Sequence, residues 1–241
     1  MNMARVIRIK RSREKGDNVI GRGKAAKVYK LNHKYELIRK EFAPIVPVKI
    51  WNWFFFESPH PLTTEAGHIY AFWKRRLAHR MCKCLNSDVR IPDALDLTKG
   101  GFTTEFILEK FTPPGRRRKL YHSVKTLESF FKYVGLPTWS FSRKNPFSRS
   151  NFIFVGDIVH IIDYEQSVPV RNSKGVIDYD RIHFEDLHDY ISGNEKLLLN
   201  RLGLEDVKHL HEALERAKEY QARLDLRPKW GHSKSKSKSK R

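Results

Sequence analysis

Cysteine is nearly missing from this sequence: Cys82 and Cys84 are the only two in 241 residues. A disulfide framework is therefore excluded as a source of stability. The Cys-x-Cys pair, even with His79 close by, falls short of the four ligands of a structural zinc site. It reads as two thiols at a helix end in a reducing compartment. Acids are also in short supply, with 27 Asp+Glu against 47 Lys+Arg and a formal net charge of +20. Such a surplus implies attraction to polyanions and says nothing about fold. No run is long and apolar enough to span a bilayer. The greasiest stretch, Ile45 to Phe56, is short and broken by Pro47, Lys49 and Asn52. The first 15 residues are basic and lack an apolar h-region, so no secretory signal is expected. A cytoplasmic location follows, with a peripheral position at a membrane surface as the variant. No internal repeat, zinc finger, RNP motif or helix-turn-helix signature is present.

What the chain does have is material for a core: 40% hydrophobic and 12% aromatic residues, which argue against global disorder. The composition divides it into four parts. Residues 1–17 are a basic leader, with one possible strand at Arg5–Ile9. Residues 18–110 are strand-rich, residues 111–226 helix-rich, and residues 227–241 end in Lys-Ser repeats that cannot bury anything. Val19 to Phe42 reads as short strands with a turn at Asn32-His33-Lys34. Glu65 to Leu85 reads as one helix, capped by Thr63 or Thr64, with Ile69, Phe72, Trp73, Leu77 and Met81 at helical spacing. Strands follow near Ala94–Leu97 and Phe102–Leu108. A second helix spans Leu120–Val134 and is stopped by Gly135 and Pro137. Asn151 to Asp163 forms a hairpin around a Gly156-Asp157 turn. Beyond Asp180 the chain is helical, ending in a long charged helix from Leu204 to Leu226.

Several segments carry residues suited to phosphate chemistry. Ile20-Gly21-Arg22-Gly23-Lys24-Ala25-Ala26-Lys27-Val28-Tyr29 places glycines where a strand-turn-strand backbone can approach phosphates without a Cβ in the way. Ile38-Arg39-Lys40-Glu41-Phe42 puts two cations on a strand, where alternation lets only one face a cleft. Glu65 is an acid at a helix start, a position the helix dipole favours anyway. The stretch Ser150-Asn151-Phe152-Ile153-Phe154-Val155-Gly156-Asp157-Ile158-Val159-His160-Ile161-Ile162-Asp163-Tyr164-Glu165 aims a carboxylate from the end of an apolar strand.

Taken in order, these segments resemble the protein-kinase-like superfamily, over roughly residues 18 to 170. The first is similar to the Gly-rich loop, with Ala26 in place of the third Gly; the last is similar to the run from the catalytic-loop Asn to the Asp-Phe-Gly motif. The resemblance implies an α+β, two-lobed kinase-like fold, with an antiparallel sheet plus helix as N-lobe and a mainly helical C-lobe. It implies ATP and Mg2+ as ligands. Gly21 and Gly23 would cover the phosphates and Val28 would pack on adenine. Lys40, with Arg39 as the off-by-one alternative, would hold the α- and β-phosphates, and Glu65 would pair with that Lys. Asn151 and Asp163 would hold magnesium, an ion that takes hard oxygen ligands. Thr104-Glu105-Phe106-Ile107-Leu108-Glu109-Lys110-Phe111 resembles the strand entering the hinge, which puts Glu109 beside adenine. In size the chain is closer to compact bacterial members of the superfamily.

The pattern fails at one place. The family carries a catalytic Asp five residues before the metal-binding Asn, and here that position is Pro146. No Asp or Glu occurs between Glu128 and Asp157. Asn145 is the substitute orienter of an acceptor hydroxyl. The expectation is a slow phosphotransferase or a nucleotide-binding pseudokinase. Arg143, Lys144 and Arg149 favour an anionic acceptor. The rival reading is a non-enzymatic basic protein that binds nucleic acid or the ribosome through the Lys-Ser tail and runs such as Arg116-Arg117-Arg118-Lys119. A third is a membrane-surface kinase anchored by Trp51, Trp53, Phe54, Phe55 and Phe56.

Overall fold

The computed structural model describes residues 19–22, 26–32, 37–43, 46–47, 49–50, 53, 61–85, 87–165 and 181–225. The basic leader, the Lys-Ser tail, Gly23, Trp51 and Phe54 to Phe56 lie outside the described residues.

Strands β1 (Val19–Arg22), β2 (Ala26–Asn32) and β3 (Leu37–Phe42) form an antiparallel meander. Along β3 burial alternates, so Ile38, Lys40 and Phe42 share the buried face while Arg39 and Glu41 face the other way. Strand alternation therefore selects Lys40 over Arg39 as the inward cation. Two further strands, β5 (Ala94–Thr98) and β6 (Gly101–Glu105), complete a sheet of five in the order β1-β2-β3-β6-β5. Gly101 is required where β6 meets β3, because a Cβ there would lie 1.8 Å from the Lys40 carbonyl oxygen. The strand expected to reach Leu108 stops at Glu105, and residues 106–113 continue without a ladder.

Helix α1 (Glu65–Cys84) comes between β3 and β5 in the chain and covers the sheet. The Thr64 hydroxyl accepts from the Gly67 N–H at 3.2 Å, and Glu65 sits in the first turn, so the helix start is capped and charge-matched. The helix serves two cores. Ala71 and Phe72 pack with Leu62, Phe42, Ala94 and Phe102 under the sheet. Tyr70, Leu77, Ala78 and Met81 join the larger core with the remaining helices.

Helix α2 (Pro114–Tyr133) starts six residues earlier than the Leu120 expected from periodicity. The Pro-Pro-Gly run looks like a breaker, but a proline at the first helical turn lacks only an N–H that would go unbonded there. The basic run 116–119 is therefore helical. Arg116 pairs with Asp88 and Asp157, and Arg117 with Glu109.

A second sheet holds β4 (Val89–Arg90), β7 (Phe152–Val155) and β8 (Ile158–Ile161) in the order β4-β8-β7. The expected hairpin is present, turning at Gly156 with φ +57°. The two-residue β4, parallel to β8, was not expected. Helices α3 (Phe184–Gly193), α4 (Glu195–Leu202) and α5 (Leu204–Asp225) end the described chain, and α5 lays Val207, Leu210, Ala213, Leu214 and Ala217 into the larger core. The architecture is α+β: an antiparallel sheet with one helix across it, then helices around a small sheet. Among the described residues no helix is long and apolar enough to cross a membrane.

Candidate functional site

Cross-strand partners share a face of a sheet. Gly21 is opposite Val28, Val28 opposite Lys40 and Lys40 opposite Phe102, so one row crosses four strands. Three of the predicted residues, Gly21, Val28 and Lys40, are thereby neighbours on the face that carries the buried Lys40.

A lysine among Ile38, Phe42 and Phe102 must find acceptors, since an unpaired ammonium is too costly to bury. The chain supplies them from residues 162–165, directly after β8. The Lys40 ammonium donates to the Ile162 carbonyl at 2.7 Å, to Asp163 Oδ1 at 2.7 Å and to Glu165 Oε1. Across 123 residues of sequence, the strand lysine and the carboxylate at the end of the hairpin are in direct contact.

Glu165 completes the network. Its second oxygen accepts from Arg75 of α1. The Arg75 guanidinium also donates to Pro92 O at 2.7 Å and to Ile162 O at 2.9 Å, and it lies 5.6 Å from the Phe102 ring centroid. Arg75 is 1% exposed and Glu165 2%, so the pair is formed out of water. Burial alone would push the Glu165 carboxyl up, but Lys40 and then Arg75 outweigh it and hold it at about 2. Lys74, the next residue on α1, is fully buried too, with its ammonium 5.2 Å from the Tyr70 ring and 5.9 Å from that of Tyr164.

The other predicted residues fall into place less uniformly. Glu65 is exposed at the start of α1, and Lys40 takes its carboxylate partners from Asp163 and Glu165 instead. The helix that was to provide an acid for the lysine provides an arginine, one link removed. Glu109 is exposed and bonded to Arg117 at 3.2 Å, while the neighbouring Lys110 N–H donates to Phe154 O at 2.9 Å and ties this segment to β7. Asn145 uses its amide inside its own loop: Nδ2 donates to Trp139 O at 3.1 Å, and Oδ1 accepts from the Phe147 N–H at 2.9 Å. It is a loop-forming residue, because both ends of the amide are engaged by backbone. Asn151 is buried, with Nδ2 donating to Ser140 O at 2.7 Å. That bond fixes the amide and leaves Oδ1 with one long contact from Ser150 Oγ, at 3.4 Å. The Ile162 N–H donates to Asn151 O at 2.9 Å, which holds Asn151 beside the Asp163 segment.

The two residues expected to hold magnesium offer one carboxylate and one amide oxygen. The Asp163 side chain is 32% exposed, and the fixed Asn151 Oδ1 is a second hard oxygen from an adjacent segment. Among the described residues no group of three or more His, Cys, Asp or Glu stands together. Cys82 and Cys84 are both buried, with thiols pushed up to about 12 and about 11 by burial, and their Sγ atoms face Val89 O and Arg80 O. The His79 Nδ1 is 2.6 Å from Ile91 O.

Arg75 and the bridging role of Glu165 escaped the sequence reading. One signal was available. Ala71, Arg75, Ala78 and Cys82 lie on one helical stripe, as do Tyr70, Lys74, Leu77 and Met81. A charge interrupting each apolar row marks a buried ion that needs a partner.

The chain matches no protein-family model and no curated protein.

Proposed function

We propose that this chain binds ATP with magnesium in a two-lobed, kinase-like cleft between the five-stranded sheet and the segment after β8. The observation that carries the reading is the 2.7 Å contact between Lys40 on β3 and Asp163 at the end of the β7–β8 hairpin. In protein kinases the phosphate-binding lysine stands on the third strand and the magnesium-binding aspartate follows such a hairpin. Gly21 and Val28 beside Lys40 on one sheet face suit a nucleotide laid along that row.

In this reading Lys40 neutralises phosphate oxygens, and Asp163 and Asn151 hold magnesium, which draws charge from the phosphates when bound. Phosphoryl transfer breaks the bond from the γ-phosphorus to the bridging oxygen, whose electron pair stays on ADP. It forms a bond to the acceptor's hydroxyl oxygen. With Pro146 where the usual aspartate stands, the hydroxyl proton goes to an oxygen of the transferred group. Positioning and charge neutralisation supply most of the acceleration in such reactions. Slow turnover is expected, and a pseudokinase is the limiting case.

The test is thermal melting of the full chain with ATP and magnesium, on wild type and Asp163→Ala, followed by an ATP-hydrolysis assay. At about 100 times Kd, ATP adds about 2.7 kcal/mol to wild-type stability. Asp163→Ala loses the magnesium-dependent part. A wild type that ATP and magnesium leave unshifted removes the reading.

A further inference from the structure

The loop between the two 3₁₀ turns Trp139–Phe141 and Ser148–Asn151 is built from the inside. Glu128 of α2 accepts from Ser142 Oγ at 2.8 Å and from Lys132 at 2.6 Å. Asn145 closes a turn within the loop, and its carbonyl accepts from the Ser148 N–H at 3.1 Å. Ser150 Oγ donates back to Phe147 O at 2.7 Å. The polar interior is thus engaged by the loop itself and by α2, and the backbone is held without a ligand.

What remains outside is positive. Arg143, Lys144 and Arg149 are exposed, and among the described residues none has a carboxylate partner. Elsewhere on the described surface Lys83, Arg117, Lys132 and Arg223 are paired with acids, while Arg118, Lys119 and Lys125 on α2 are exposed with no carboxylate partner among the described residues. Glu128, the acid bonded to the base of the loop, is buried and committed to Ser142 and Lys132. The loop also stands next to the site. Ser140 Oγ donates to Tyr164 O at 3.5 Å, and Asn151 O accepts from Ile162 N–H, the residue before Asp163. Two guanidiniums and an ammonium on a held backbone suit a compact, doubly charged oxyanion, because arginine bonds phosphate in a bidentate manner and little ordering remains to be done.

We infer that loop 142–150 is a phosphate-binding surface, and that it takes a phosphate monoester borne by the molecule whose hydroxyl enters the site. The second half of this statement rests on the kinase-like reading; the first half does not. The monoester belongs to a free phosphosugar or to a lipid headgroup, and the same charges recognise both.

The full chain is titrated calorimetrically with glucose 6-phosphate, with glucose as the uncharged control. It is also co-sedimented with vesicles containing phosphatidic acid, against phosphatidylcholine alone. Both arms are repeated on Arg143→Gln/Lys144→Gln/Arg149→Gln and on the charge-keeping Arg143→Lys/Lys144→Arg/Arg149→Lys. Binding in at least one arm, weakened about tenfold or more by the Gln variant and kept within about threefold by the charge-keeping one, supports the inference. The arm that responds identifies the source. No monoester binding, or binding that the Gln variant leaves intact, overturns it. So does loop-dependent binding of poly(U) RNA with neither monoester bound, which would make the loop a nucleic-acid track. A fluorescent ATP analogue is titrated in parallel. If wild type binds the monoester through the loop but not the nucleotide, the kinase-like reading falls and the phosphate site stands. If it binds the nucleotide but not the monoester, the inference falls alone.

Discussion

Two groups of cations lie on segments that hydrogen-bond to residues 162–165 or flank segments that do, and the chain treats them in opposite ways. Lys40 and Arg75 are buried and share Glu165, while Arg143, Lys144 and Arg149 are exposed and share no carboxylate among the described residues. The first arrangement answers a cost: an ion removed from water must be paired or it destabilises the fold. The second answers no such cost, because water and salt solvate it. The contrast teaches where to expect each kind of effect. Changes in the buried group act on folding and on the geometry of Lys40. Changes in the loop act on binding and leave folding alone.

The sharpest way to break the comparison is Glu165→Gln. It keeps the shape and leaves Lys40 and Arg75 without their shared charge, at a cost of about 3–5 kcal/mol in urea denaturation. Arg75→Leu follows, at about 2–3 kcal/mol, because Pro92 O and Ile162 O lose a donor while Glu165 keeps Lys40. In the double variant Arg75→Leu/Glu165→Gln the loss should fall short of the sum of the two, as expected for residues in one network.

Acid titration dissects the same contrast. The Glu165 carboxyl is depressed from 4.5 to about 2, so its contribution is complete above the unfolded value and is lost as pH falls through about 2. The His160 imidazole is lowered from 6.5 to about 4 by burial and by Arg90, so the folded protein prefers it neutral. That contribution is present above about pH 6.5 and is lost as pH falls towards 4. Urea midpoints should therefore decline in two windows. His160→Asn should flatten the upper one and Glu165→Gln the lower. The smallest effect belongs to the loop. Arg143→Gln/Lys144→Gln/Arg149→Gln should change stability by less than about 0.5 kcal/mol, since exposed, unpaired cations hold nothing in place. A larger loss would mean that the loop cations belong to the fold after all.

Much of the framework was legible in the chain. The meander, the helix from Glu65, the hairpin of Asn151–Asp163 and the final charged helix all follow from periodicity, caps and turn residues. Periodicity puts the start of the second helix at Leu120, and it begins at Pro114, because a proline fits the first helical turn, where its missing N–H would go unbonded. The two-residue β4 carries no period to detect. At the site, Lys40 and Asp163 were picked out by the resemblance to kinase segments, and they meet. Glu65 was picked out as the partner of Lys40 by its place at a helix start, and it faces solvent. Asn145 was offered as an orienter, and its amide closes its own loop.

The amino-acid order alone determined which segments would be strands and helices, because side-chain alternation and helical spacing are written within a few neighbouring residues. It also determined that no carboxylate lies between Glu128 and Asp157. The tertiary structure decided which charges would meet. Lys40, Arg75 and Glu165 are separated by long stretches of chain, and an ion pair out of water is a property of where backbones converge, which no local pattern encodes.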